Sequence, residues 1–202
     1  MKIRIQKYVG FGSTAPDVFE SKSHNIKEAI AEALAMMSNS RANEAGIRPT
    51  DTMDDLDFNL FSGHNLTYLD LSCMRLAGED LSNLRMSFTP DFSEANCKGM
   101  NFSNSTAIGA HFVRTNCQKI NLTNADVRGS RFDEADLRDA IWAGAKIRGA
   151  TFYDAKMDKA GLIYALHNGA RLFKNPIQNF IVSRKFNRGF HLTPELKKRF
   201  CR

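Results

Sequence analysis

Side chains able to do chemistry are few in this chain, and their spacing brings none of them into a recognisable reactive set. Cys73, Cys97, Cys117 and Cys201 form no CxxC pair and no Cys/His cluster, so they read as reduced thiols and indicate neither a zinc site nor a disulfide framework. Asp133, Glu134, Asp136 and Asp139 look like a carboxylate group suited to acid–base work, but Arg131 and Arg138 are interleaved with them. A solvated, salt-bridged wall accounts for that pattern. His167 stands at a position that the periodicity below turns inward, as a hydrogen-bonded or solvent-reached histidine at the end of a coil. No GxSxG, HExxH, Walker or dinucleotide motif occurs, so the expectation is no catalytic residue, no metal-binding residue, no cofactor and no enzyme.

The elements that must position these residues follow a period of five. From Pro90 to Lys174 the chain divides into seventeen pentads with centres Phe92, Cys97, Phe102, Ala107, Phe112, Cys117, Leu122, Val127, Phe132, Leu137, Trp142, Ile147, Phe152, Met157, Leu162, His167 and Leu172. Sixteen of the seventeen are apolar, and a small residue stands two before the centre in fourteen, with an unbroken alanine series from Ala135 to Ala170. Neither the helical period of 3.6 nor the strand period of 2 generates that spacing. A turn at every pentad does. The centre and the small residue then point inward and the other three positions face solvent, as in a solenoid.

Four pentads close a coil of twenty residues, and coils stack at the strand spacing of roughly 4.8 Å. A second period supports the four-sided section: Phe92, Phe112, Phe132 and Phe152 recur at twenty as an aromatic column. Gly109, Gly129, Gly149 and Gly169 recur at twenty where a turn with positive φ favours glycine. Upstream the frame shifts, with centres at Leu56, Phe61, Leu66, Leu71, Leu76, Leu81 and Met86, and the step from Met86 to Phe92 is six. One extra residue there predicts a bulge that leaves the stack intact. The whole predicts about six coils over residues 54–174.

ADVRG at 125–129, ADLRD at 135–139 and, more loosely, ANCKG at 95–99 carry a resemblance to the pentapeptide-repeat family, whose motif is A(D/N)LXX. The resemblance covers residues 54–174 and implies an all-β solenoid, a right-handed quadrilateral parallel β-helix.

The flanks differ from the repeat. Residues 1–53 hold an alternating segment, Lys2–Val9, that predicts a strand. They also hold a helix capped by Asn25 with Glu28, its apolar face being Ile26, Ala29, Ile30, Ala33, Leu34 and Met37. The expected role is to cap the first coil. Residues 175–202 predict two basic amphipathic helices, starting at Asn175-Pro176 and Thr193-Pro194, that plug the last coil or form a dimer. Of the formal net charge of +6, residues 174–202 carry +7, residues 54–173 carry −2 and residues 1–53 carry +1. No run of eighteen apolar residues appears, and MKIRIQKYVG lacks a secretory h-region, so no transmembrane segment and a cytoplasmic location are expected.

With the interior filled, function is expected on the outer walls of a non-enzymatic, protein-binding scaffold. One wall is nearly uncharged, with Asn101, Ser103, Asn104, Asn121, Thr123 and Asn124, and turns apolar at Ile141, Ala143, Ile163 and Tyr164. Ile141, Ile163, Tyr164 and Leu166, or the tail residues Phe180, Phe186, Phe190 and Phe200, are candidates for a partner or homodimer contact. The next wall carries Lys98, Lys119, Arg138, Lys156 and Lys159. The resemblance implies a bacterial or phage protein whose target is a type II topoisomerase, DNA gyrase above all. The family's best-studied members bind that enzyme or topoisomerase IV as dimeric rods with an acidic, B-DNA-like surface. This rod is nearly neutral and its tail is basic, which departs from DNA mimicry. An alternative is nucleic-acid or anionic-membrane binding through Arg184, Lys185, Arg188, Lys197, Lys198 and Arg199. A secreted bacterial effector is a further alternative that the resemblance implies.

Overall fold

A pentad can repeat only if each of its five backbone N–H groups finds a partner, and the segment from Asn121 to Ala125 shows how this chain meets that demand. Asn121 N–H donates to Met100 O in the preceding coil, while Leu122 and Asn124 N–H donate to Ile141 O and Ala143 O in the following one. Ala125 N–H closes the turn on Leu122 O at 2.9 Å. The remaining donor, Thr123 N–H, goes to Asn121 Oδ1 at 3.0 Å. The same side-chain acceptance recurs at Asp80, Asp91, Asn96, Asn101, Asn116, Asp126 and Asp136. The Asp or Asn of the repeat is thus the acceptor for the one N–H that the ladder leaves over.

The computed structural model describes residues 2–9, 12–13, 17–20, 22–23, 25–33, 35, 65–86, 89–174, 194 and 198–199. The chain divides into two compact units, Met1–Leu71 and Ser72–Arg202.

In the second unit, isolated parallel bridges join each pentad to the one a coil away. Arg75, Asp80 and Arg85 pair with residues 21 further on, and from Asp91↔His111 onward the interval is 20. The additional residue therefore lies between Arg85 and Asp91, and the ladder continues on both sides of it. This is a parallel β-helix. Its centres are buried, with Phe92, Phe112, Phe132 and Phe152 stacked at ring separations of 4.7, 4.7 and 5.1 Å. Phe102 meets Phe92 and Phe112 edge-on. Inward hydroxyls are satisfied by the coil before: Ser105 donates to Leu81 O, Thr115 to Phe92 O and Ser130 to Ala107 O.

Where the pentads 160–164 and 165–169 are expected the chain forms a helix instead, α2 (Lys159–His167). Asp158 caps it, its carboxylate accepting from Gly161 N–H at 2.7 Å. Gly161, Leu162, Ala165 and Leu166 make its buried face. The alanine series hid this change, because alanine serves a small inward position and a helix equally well. The pentads AGLIY and ALHNG lack an Asp or Asn before the centre, but so do AIWAG, AKIRG and ATFYD, which stay in the coil; what marks the helix is its cap at Asp158. Ala160 is accordingly exposed, and His167 is exposed in the last turn rather than inward. The helix ends on Gly169 at φ 71, where Ala170 N–H returns to Ala165 O at 3.1 Å. Thr151↔Arg171 then resumes the ladder.

The first unit is an antiparallel sheet. Strand β1 (Lys2–Val9) pairs with β2 (Gly12–Ser13), β3 (Asp17–Glu20) and β4 (Asn65–Asp70). The expected centre Leu66 therefore sits on a strand opposite Tyr8, and the parallel ladder is described from Arg75 onward. Helix α1 occupies residues 26–33, with Ile26, Ala29, Ile30 and Ala33 buried. Asn25 Oδ1 caps it, accepting from Lys27 N–H at 2.8 Å. Glu28 does not complete the capping box directly: it takes the Ser23 hydroxyl, and Ser23 Oγ accepts from Asn25 N–H. The expected centres Leu56 and Phe61, and the helix positions Leu34 and Met37, lie outside the described residues.

Candidate interaction surface

Because each pentad sends three side chains outward, a wall is a set of columns repeating at one coil. On the uncharged wall the amides form ladders. Asn121 Nδ2 donates to Asn101 Oδ1 and Asn101 Nδ2 to Asp80 Oδ1, at 3.2 and 3.0 Å. Asn124 Nδ2 donates to Asn104 Oδ1. These bonds hold the wall's side chains in fixed register. Ile141 follows Asn121 in the same column, and among the described residues it is the large hydrophobic side chain left exposed, at 51%.

The other apolar candidates are placed differently. Tyr164 is half-buried: its hydroxyl donates to Ala145 O at 2.7 Å and its ring stacks on Trp142. Burial raises its pKa. Ile163 is half-buried, whereas Leu166 is only 4% exposed, so it packs the inside of α2 and offers no outer contact. The tail phenylalanines lie outside the described residues.

On the basic wall Lys98, Lys119, Arg138, Lys156 and Lys159 are all exposed. Arg138 does not present a free charge: its guanidinium grips Asp136 through two hydrogen bonds, and Gln118 Nε2 adds a third to that carboxylate. The Arg138 hydrogen bonds hold Asp136 down at about 2, against the opposing effect of partial burial. Arg128 grips Asp126 and Arg131 pairs with Asp133 in the same two-residue geometry. Arg114 reaches Glu94 in the preceding coil. Two of the four carboxylates, Asp133 and Asp136, are thus salt-bridged to the arginines interleaved with them.

Cys97 and Cys117 are buried on one column, and burial together with the neighbouring Cys97 thiol pushes the Cys117 thiol well up. That suppresses the thiolate a nucleophile needs. Among the described residues no group of three or more His, Cys, Asp or Glu side chains could hold a metal ion. No helix among them is long and apolar enough to cross a membrane.

From the basic tail, Lys198 and Arg199 are described and both are helical and exposed. Arg199 donates to Asp154 Oδ1 at 2.9 Å and lies over the Phe173 ring, 5.2 Å from its centroid. Arg184, Lys185, Arg188 and Lys197 lie outside the described residues. One group of outward cations, Arg128, Lys146, Arg148 and Arg171, was not singled out from the sequence. Reading the outward positions in steps of twenty would have put Arg128 beside Arg148.

A family model described as pentapeptide repeats matches residues 91–129 and 130–162, in eight copies. No curated protein matches the chain. Among solved structures, a pentapeptide repeat protein from Nostoc Pcc 7120 is 24% identical, over 52% of this chain and 84% of its own, with a TM-score of 0.47. Another, from the Arabidopsis thaliana thylakoid lumen, is 21% identical over 56% and 90%, with a TM-score of 0.34. QnrB1, a plasmid-mediated fluoroquinolone resistance protein, is 16% identical over 61% and 95%, with a TM-score of 0.22.

Proposed function

The chain carries pentapeptide repeats, and from that premise we propose a non-enzymatic scaffold whose coil is right-handed and four-sided and whose walls hold a protein partner. Four bridges to the next coil from each of the stretches 91–110 and 111–130 support the four-sided section. The observation that carries the binding role is Ile141, exposed above a ladder of hydrogen-bonded asparagines on an uncharged wall. An apolar anchor framed by ordered amides is the composition of an interface core with its polar rim. Ile163 and the exposed edge of Tyr164 extend the patch onto α2, and a second copy of the chain is one occupant that could bury it.

The partner proposed for the first test is a type II topoisomerase, DNA gyrase, on the strength of the family resemblance. Its mode would differ from duplex mimicry, because the described walls mix both charges and pair many of them internally. The buried, unbridged thiols Cys97 and Cys117 suit a reducing compartment, and the cytoplasm is the location proposed. For the tail, the Arg199 contacts with Asp154 and Phe173 favour a plug over a free polyanion-binding arm.

A pull-down from bacterial lysate, with and without nuclease, followed by a supercoiling assay with purified gyrase, tests the reading. Nuclease-resistant capture of gyrase and an altered supercoiling rate, both abolished in Ile141→Glu, are the expected results. Light scattering on the same two proteins separates the second-copy case, which requires wild type at twice 22.7 kDa. Capture that Ile141→Glu leaves unchanged would remove the patch from the account.

A further inference from the structure

Sorting outward residues by column assembles a cationic corner that no single wall reveals. Arg128 and Arg148 follow the centres Val127 and Ile147 in successive coils, with Lys146 just before the second. Past the turn, the bridged column His111, Arg131, Thr151, Arg171 runs alongside. Arg128, Arg131, Lys146, Arg148 and Arg171 are all exposed. The carboxylates of this corner, Asp126 and Asp133, are buried and pair with Arg128 and Arg131, with Lys146 Nζ 4.0 Å from Asp126. These five cations outnumber the two carboxylates by three, and among the described residues the unpaired charge lies on Arg148 and Arg171. One coil on from Asp126 stands Lys146, and two coils on from Asp133 stands Phe173. Arg148 and Arg171 consequently face no carboxylate partner among the described residues.

Between these two rows run Gly129, Gly149 and Gly169. At Gly129 and Gly149 the turn itself does not demand glycine, since Glu94, Arg114, Lys119, Glu134 and Asp154 take the same positive φ at the equivalent position, whereas Gly169 closes helix α2. Packing does not demand it either. A Cβ on Gly129 would meet nothing within 4 Å, and one on Gly149 would meet only Gly129 N at 4.0 Å. The corner is a bare backbone floor between two rows that each carry two arginines, and Arg148 leans over its end, with Cγ 3.7 Å from a Cβ position on Gly169.

We propose that this corner binds the phosphate backbone of a nucleic acid, a role independent of the protein-binding reading of the uncharged wall. Guanidinium forks match phosphate oxygens, and a row of them supplies affinity through charge and counterion release without an apolar core. An acidic protein would bring the other requirement, an aromatic or aliphatic anchor at the centre of its interface. The rows bordering the last three glycines, Arg128, Arg148 and Asn168 on one side and Arg131, Thr151 and Arg171 on the other, hold no apolar side chain.

The test is fluorescence anisotropy of the full-length protein with a short labelled DNA duplex, its single strand and the matching RNA, across a salt series, with polyglutamate as the protein-like polyanion. Wild type should bind at least one nucleic acid with micromolar or tighter affinity, and affinity should fall linearly with salt on logarithmic axes. The variant Arg128→Gln/Lys146→Gln/Arg148→Gln/Arg171→Gln should bind at least about tenfold more weakly, with a slope flatter by roughly one unit for each phosphate that it no longer neutralises. Gly149→Glu should also weaken binding; Glu134 shows that the turn accepts glutamate, and a retained cooperative thermal transition confirms its fold. Arg184→Gln/Lys185→Gln/Arg188→Gln should bind as wild type. Three outcomes overturn the proposal: no nucleic-acid binding at physiological salt, weakening confined to the tail variant, or equal affinity for polyglutamate.

Discussion

Asp136 shows how much one position of the repeat is asked to do. Its carboxylate accepts the backbone N–H of Arg138, grips the same residue's guanidinium and takes the Gln118 amide. With its pKa lowered from 3.8 to about 2, the folded state binds a proton less readily than the unfolded chain does. Its contribution to stability is therefore present above about pH 4 and is lost as pH falls through about 2. Solvent reaches this pair, so the contribution should stay under about 1 kcal/mol. Denaturation midpoints measured across that window should fall more steeply for wild type than for Asp136→Asn. Parallel acid slopes for the two proteins would show that the pair carries no pH-linked stability.

At the level of elements, α2 is an insertion that replaces two turns of the coil without shifting its register, since Thr151 still bridges Arg171. What holds it is its cap and its seat: Asp158 accepts from Gly161 N–H, and a Cβ on Gly161 would stand 3.0 Å from Trp142 Nε1. Removing the cap in Asp158→Ala should cost about 1 kcal/mol, within the usual range for such residues. Trp142 is the single tryptophan of the chain and is 7% exposed, so its emission reports on the seat directly. A red shift at lower denaturant than in wild type is expected. Emission and stability both unchanged would mean that burial of Leu162, Ala165 and Leu166 holds the helix without its cap.

Across the whole second unit, stability passes from coil to coil through the phenylalanine stack. Phe132 has ring neighbours at 4.7 and 5.1 Å on its two sides, and replacing it by alanine removes both stacking partners and leaves a cavity that rigid coils cannot close. The expected loss is about 3–5 kcal/mol, measured by chemical denaturation. Because a solenoid's coils support only their neighbours, unfolding of Phe132→Ala should also become less cooperative, with tryptophan emission and far-ultraviolet dichroism no longer changing together. A loss below about 1 kcal/mol would contradict the burial of this ring.

The coil is legible in the order of residues alone. Its period of five, its inward columns and the six-residue step after Met86 are local demands of a backbone that must turn and pair at every repeat, and each leaves a mark at a fixed spacing. Where the period ceases to mean a turn is a matter of three-dimensional packing. Between Lys159 and His167 the alanines and the apolar centre Leu162 stay in step, yet Asp158 caps a helix there and Leu162, Ala165 and Leu166 are buried on one of its faces. Packing likewise settles which charges remain available. Arg128, Arg138 and Arg199 look alike in sequence to Arg148 and Arg171, but the first three are engaged by Asp126, Asp136 and Asp154, and pairing of that kind depends on distances between side chains that the folded coils set.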